Sequence, residues 1–219
     1  MSTVAGFRTV IFDCDSTLSA IEGIEELAAA HREEIARLTD LAMQGTVPLE
    51  EVYGRRLDLI RPSRAEVERI GALYVTHLVP GARETVRELQ ARGVVVQVLS
   101  GGVLPAVRVV AAALGIPAAR VAAVDLHFDA TGAYRDFDRA SPLARAGGKR
   151  HWVEQQGHAL PRPSLLVGDG ATDLEARPAV DCFAAFTGVV HRDPVVRGAD
   201  VTLPGPSLTG VLGIRPPGA

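Results

Sequence analysis

At 219 residues, with 47% hydrophobic and 22% charged side chains, the chain can bury one substantial core and a smaller second one, and has the balance of an ordinary soluble globular protein. A net charge of −3, spread in short runs of mixed sign, speaks against a nucleic-acid partner, which would want a basic patch. No apolar run approaches the roughly 18 residues that span a bilayer, no signal peptide is visible, and Cys14 and Cys182 are too isolated to form a disulfide framework. A cytoplasmic protein without a membrane partner is the expectation.

Taken in chain order, residues 8–12 predict a buried strand that drives straight into Asp13-Cys14-Asp15-Ser16-Thr17. Ile21, Ile24, Leu27 and Ala28 then fall on one helical face, with Glu22, Glu25 and Glu26 around it. A second helix is expected over 33–43 through Ile35, Leu38 and Leu41, stopping at Gly45, and a third over 49–60 after Pro48. Ser63 and Glu66 form a capping-box pattern that starts a fourth helix, to about residue 77.

The pattern changes at Pro80-Gly81. A helix closed by Gly93 leads into a strand over 94–99 that ends at Ser100-Gly101-Gly102, and a helix over 104–114 closes at Gly115. The partly alternating run 121–128 and the turn signal at 129–132 predict a hairpin to about 137. A helix over 149–156 precedes a strand over 164–167 that ends at Gly168-Asp169-Gly170, and further strands are expected at 182–186 and 200–203. Alternating strands and helices argue for an α/β protein with a Rossmann-like three-layer α/β/α core and a parallel sheet. That core takes residues 1–16 and 78–219, and residues 17–77 read as a small inserted helical cap.

Three of the strands end in residues suited to chemistry, and open α/β sheets bind ligands at the carboxyl ends of their strands. Asp13 and Asp15, two apart in an extended chain, point to the same side. Two adjacent anions raise one pKa or call for a cation, although a polar strand terminus with an Asp/Ser turn is the plain alternative. Ser100-Gly101-Gly102 before a helix can cradle an anion, or be a simple loop. Gly168-Asp169-Gly170-Ala171-Thr172-Asp173 adds carboxylates of the kind that hold a hard cation. Lys149 is the single lysine among 23 basic side chains, which marks a place for a compact point charge unless it is a chance surface residue. Together these residues describe a phosphate site that contains a metal. A dinucleotide fingerprint and a P-loop are both absent, since Asp173 and Leu143 hold positions that would need glycine. Cys14, between two carboxylates, reads as a small core residue.

In this order, Asp13-x-Asp15-Ser16-Thr17, Ser100-Gly101-Gly102, Lys149 and Gly168-Asp169-Gly170-x-x-Asp173 resemble the four motifs of the haloacid dehalogenase superfamily of phosphatases. The likeness extends to the cap through Glu22 to Ala28, Ala42 to Pro48, Arg56-Leu57 and Ile60 to Arg64, and is nearest to members that act on O-phospho-L-serine. It implies a Mg²⁺-dependent hydrolase of a small phosphomonoester, acting as a monomer or homodimer in the last step of serine synthesis. A phosphatase or phosphotransferase for another small ester is the alternative within the class, and a phospho-acceptor signalling domain the alternative outside it.

On this resemblance Asp13 is the nucleophile and Asp15 the acid and base, with Mg²⁺ held by Asp13, the Asp15 carbonyl and Asp169. Lys149, Ser100, Gly101 and Gly102 would bind the phosphoryl group, and Asp173 would orient Lys149 or a metal-bound water. Glu22 would take the substrate ammonium and Arg56 its carboxylate, each with a solvated helix position as the plain alternative. Met43, Gln44, Thr172 and Arg192 stand at further substrate positions. Leu49 replaces an aromatic lid residue, and Thr172 stands where many relatives have Asn.

Overall fold

The structure, a computed structural model, describes residues 6–28, 31, 33–35, 37–38 and 49–218. Its main sheet has six parallel strands in the order β3-β2-β1-β6-β7-β8. These are β1 (Thr9–Phe12), β2 (Val95–Val103), β3 (Val121–Val124), β6 (Ser164–Gly168), β7 (Cys182–Phe186) and β8 (Val201–Leu203). A separate antiparallel hairpin is made by β4 (Leu126–Phe128) and β5 (Tyr134–Phe137). Helices with defined ends among the described residues are α1 (Gly23–Leu27), α2 (Leu49–Ile60), α3 (Arg64–Thr76), α4 (Ala82–Ala91), α5 (Leu104–Ala113), α6 (Gly148–Gln156), α7 (Ala171–Ala176) and α8 (Asp193–Gly198).

β1 is buried along its whole length, as its unbroken apolar run requires of a strand covered on both faces. It lies between β2 and β6, with Val10 opposite both Val96 and Leu165. The chain leaves β1 toward β2 and β3 on one side and later returns to build β6, β7 and β8 on the other. The carboxyl end of β1 is therefore the switch point where the crevice of a doubly wound sheet opens. Around it Phe12, Leu18, Val98, Leu166 and Phe183 join one contiguous apolar core.

Several elements differ from the sequence expectation for physical reasons. Ser100-Gly101-Gly102 is extended and belongs to β2, whose pairing with β3 shifts register between Leu99 and Val103, so it is a bulged strand end rather than a turn. The run 121–128 is two strands in two sheets, broken at Asp125, whose carboxylate accepts the Leu126 N–H at 2.9 Å. Residues 33–35 and 37–38 are helical, and the remainder of the expected helix to 43 lies outside the described residues, as do Met43 and Gln44.

Within 17–77 the helices have different neighbours. The capping box is formed, with the Ser63 N–H donating to Glu66 Oε2 at 2.8 Å, and α3 then lies along core helix α5, where Gly71 meets Val109 and Ala106. α2 rests instead on the hairpin. Tyr53 meets Phe137 edge-on at 5.4 Å between centroids, Arg61 Nη2 donates to the Tyr134 carbonyl at 3.2 Å, and Arg139 pairs with Asp58 at 3.5 Å.

Candidate active site

The end of β1 delivers Asp13 while its backbone is still in the sheet, its N–H donating to the Val167 carbonyl at 3.0 Å. The Asp13 carboxylate accepts the Cys14 N–H at 2.7 Å and lies 2.8 Å from Lys149 Nζ. Lys149 stands in the first turn of α6 and is buried, with its other carboxylate partner Asp173 at 2.7 Å. Burial by itself would push this ammonium down, yet Asp13 and Asp173 hold it above the ordinary lysine range. Asp173 is in turn fixed by the Gly170 N–H at 3.0 Å. A methyl group at Gly168 would sit 2.2 Å from Asp173 Cγ, so glycine at that strand end is what lets the carboxylate reach Lys149.

Asp15 faces different partners. Its Oδ1 accepts the Gly23 N–H at 2.6 Å and the Tyr74 hydroxyl at 2.5 Å, while Oδ2 accepts the Ser100 hydroxyl at 3.3 Å. Burial, then the charges of Asp13 and Glu22, push its carboxyl up to about 7. Asp169, at the end of β6, is raised to about 6 by burial and by Asp13, against the opposing pull of Arg192. Burial and the two flanking aspartates push the Cys14 thiol well up, which removes it as a nucleophile and agrees with its expected place in the core.

A cavity of about 270 Å³ joins these groups. Asp13, Asp15, Lys149 and Asp169 reach it from strand ends and α6, Gly101 and Gly102 from the bulged end of β2. Glu22, just before α1, and Arg56, on α2, line one side of it, and Thr172 and Arg192 line it as well. Ser100 is buried behind it, with its oxygen accepting the Gly102 N–H at 2.9 Å. An adjoining apolar recess of about 120 Å³ lies between Val52, Tyr53 and Leu143. Burial lowers the Arg56 guanidinium, partly offset by Glu25 and Glu22.

Arg192 does more than line the cavity. Its Nη1 pairs with the Asp169 carboxylate and donates to the Asp169 carbonyl at 3.3 Å, and Nη2 lies 3.9 Å from Glu22. It thus sits on the acid expected to hold the metal.

Oxygen atoms of Asp13, Asp169 and Asp173 come within 4.8 Å of one another, all three residues buried. An all-oxygen, anionic donor set suits a hard divalent cation. Asp173 appears in this cluster in place of Asp15, whose carboxylate is turned to Gly23 and Tyr74 and which could add only its backbone carbonyl.

Some contributors carried no role in the sequence reading. Thr17 donates to Asp169 Oδ1 at 2.9 Å, and Ser16, in the left-handed region at φ 51°, donates to Glu22 Oε1 at 2.6 Å. Both follow the Asp-x-Asp pair directly, so position offered a signal. Tyr74 offered none, since in sequence it is one more apolar position on an amphipathic helix.

Acids at the tips of adjacent parallel strands, a buried lysine and an inserted helical segment define a hydrolase class. The profile of the haloacid dehalogenase-like hydrolases matches residues 7–181, and the chain belongs to that family. It is 41% identical to the phosphoserine phosphatase of Bos taurus over 196 residues, which cover 87% of this chain and 86% of that one. Among solved structures it resembles a phospho-aspartyl intermediate analogue of phosphoserine phosphatase, with a TM-score of 0.76 and 26% identity over 95% and 99% of the two chains. A substrate-bound phosphoserine phosphatase complex gives the same TM-score and identity, over 94% and 97%.

Proposed function

We propose that this chain is a phosphoserine phosphatase that hydrolyses O-phospho-L-serine to L-serine and phosphate. The observation that carries the reading is the contrast between two neighbouring acids in one cavity: Asp13 paired with a buried lysine, Asp15 raised to about 7. A carboxylate paired with Lys149 at the end of β1 can attack phosphorus to give a phosphoaspartyl enzyme. A carboxyl that keeps its proton near neutral pH can deliver it to the leaving serine oxygen, and then take one from the water that releases phosphate. Lys149 and the Gly101 N–H would stabilise charge on the phosphoryl oxygens, joined by the Ser100 hydroxyl and the Gly102 N–H as these leave the bonds they make to Asp15 and to the Ser100 oxygen.

Asp13, Asp169 and the Asp15 carbonyl would hold Mg²⁺, with Asp173 orienting Lys149. Mg²⁺, when bound, supplies positive charge against the transferring phosphoryl group. Arg192 would release Asp169 and turn to substrate, with Thr172 beside it. Glu22 would bind the ammonium and Arg56 the carboxylate, so residues 17–77 act as the specificity cap, to which Met43 and Gln44 also belong. No helix among the described residues is long and apolar enough to cross a membrane.

The test is phosphate release from a panel of small phosphomonoesters with Mg²⁺, for wild type and Asp13→Asn. Phosphoserine should be the preferred substrate, and Asp13→Asn should lose at least about 10³-fold in kcat, as variants lacking a nucleophile do. Equal turnover of phosphothreonine or glycerol phosphate would sink the substrate assignment, and an active Asp13→Asn the mechanism.

A further inference from the structure

The Asp15 carboxylate is held from a direction that the reaction itself does not require. Tyr74 lies in the last turns of α3 and is fully buried, and its hydroxyl donates to Asp15 Oδ1 at 2.5 Å. The Gly23 N–H donates to the same oxygen at 2.6 Å. Nothing about this contact is loose. The Tyr74 carbonyl accepts the Ser19 hydroxyl at 3.0 Å, which ties the end of α3 to the loop just after Asp15. A methyl group at Gly23 would fall 2.0 Å from the Tyr74 hydroxyl oxygen, so the start of α1 is shaped around that hydroxyl.

With two donors on Oδ1, that oxygen is filled as an acceptor, and a proton on Asp15 has its place on Oδ2. Oδ2 is the oxygen that meets Ser100, at the edge of the phosphoryl cradle. We propose that Tyr74 is a positioning residue for the proton shuttle, fixing Asp15 through Oδ1 so that Oδ2 carries the proton to the leaving serine oxygen. This rests on the reading of Asp15 as the acid of the reaction. Tyr74 does not line the cavity.

A misplaced acid harms only those substrates whose leaving group needs the proton. A serine alkoxide needs it, whereas p-nitrophenolate leaves without it. The value of kcat/KM reports every step up to leaving-group departure, so the comparison is made there. Wild type, Tyr74→Phe, Gly23→Ala and Asp15→Asn are assayed on O-phospho-L-serine and on p-nitrophenyl phosphate with Mg²⁺, with thermal unfolding as the check on folding.

Tyr74→Phe keeps the buried ring and removes only the hydroxyl. It should lower kcat/KM for phosphoserine about 10-fold, the upper end of the scale for one lost hydrogen bond, and change that for the aryl ester less than about 2-fold, with KM for phosphoserine nearly constant. Gly23→Ala, which displaces the hydroxyl by crowding, should repeat the pattern. Equal loss on both esters, loss confined to KM, or no loss in Tyr74→Phe overturns the proposal. A wild type inactive on phosphoserine, or an active Asp15→Asn, overturns the underlying reading instead, so the two failures are distinguishable.

Discussion

Lys149 makes its two ion pairs while buried, where a lysine and an arginine differ most. An ammonium at 2.8 Å from Asp13 and 2.7 Å from Asp173 is a point charge between two carboxylates. A guanidinium is planar and larger, and would have to displace one of them. Lys149→Arg should therefore fail despite conserving charge, lowering kcat by about 10²-fold or more, as read by steady-state phosphate release. Activity within a few-fold of wild type would show that charge alone suffices. The raised acids give a second prediction. Asp15 and Asp169, at about 7 and about 6, bind protons in the folded protein that the unfolded chain sheds near pH 4. Their contribution to stability is present below about pH 4 and is lost as pH rises through 6 to 7. A divalent cation takes the ionised form, so Mg²⁺ should raise the Tm of chelator-treated protein more at pH 8 than at pH 5. At 100-fold excess over Kd the gain is about 2.7 kcal/mol, or some 5–10 °C for a chain of this length. Equal shifts at both pH values would count against a metal among these acids. Asp13, Asp15 and Asp169 were legible from sequence because acids at the ends of buried apolar strands serve no purpose in folding. The hold of Tyr74 on Asp15, 59 positions away, was not legible, because periodicity assigns a residue to a face and says nothing of what its hydroxyl meets.

Among the elements, the hairpin supports the site from a distance, through α2. Phe137 is 5% exposed and supports Tyr53 on α2, the helix that carries Arg56. Phe137→Ala removes that support without touching any group at the end of β1. It should cost about 3–5 kcal/mol by denaturant unfolding, and raise KM for phosphoserine more than it lowers kcat. A change in kcat alone would mean that α2 keeps its place without the ring. The hairpin itself was readable, since Asp129-Ala130-Thr131-Gly132 is turn chemistry, and Asp129 Oδ1 accepts the Thr131 and Ala133 N–H groups. Its docking on α2 was not, because no local pattern encodes which surface a hairpin will meet. The bulged end of β2 was hidden for a related reason: glycines suit a turn and a bulge equally.

At the scale of the whole molecule, alternation of strands and helices predicted a parallel sheet, while strand order awaited the structure, since any of several neighbours could have buried so apolar a strand as β1. Its place at the centre has a consequence for how the protein is made. β1 is synthesised well before β6, one of its two partners, and Thr17 and Asp169 meet across 152 positions. At about 5–20 residues per second of synthesis, roughly 8–30 seconds separate them. Throughout that interval the edge that β6 will cover is open, an apolar template for any other chain. The crevice thus belongs only to a chain that has reached β6, and a nascent or truncated one carries an uncovered apolar strand just ahead of Asp13.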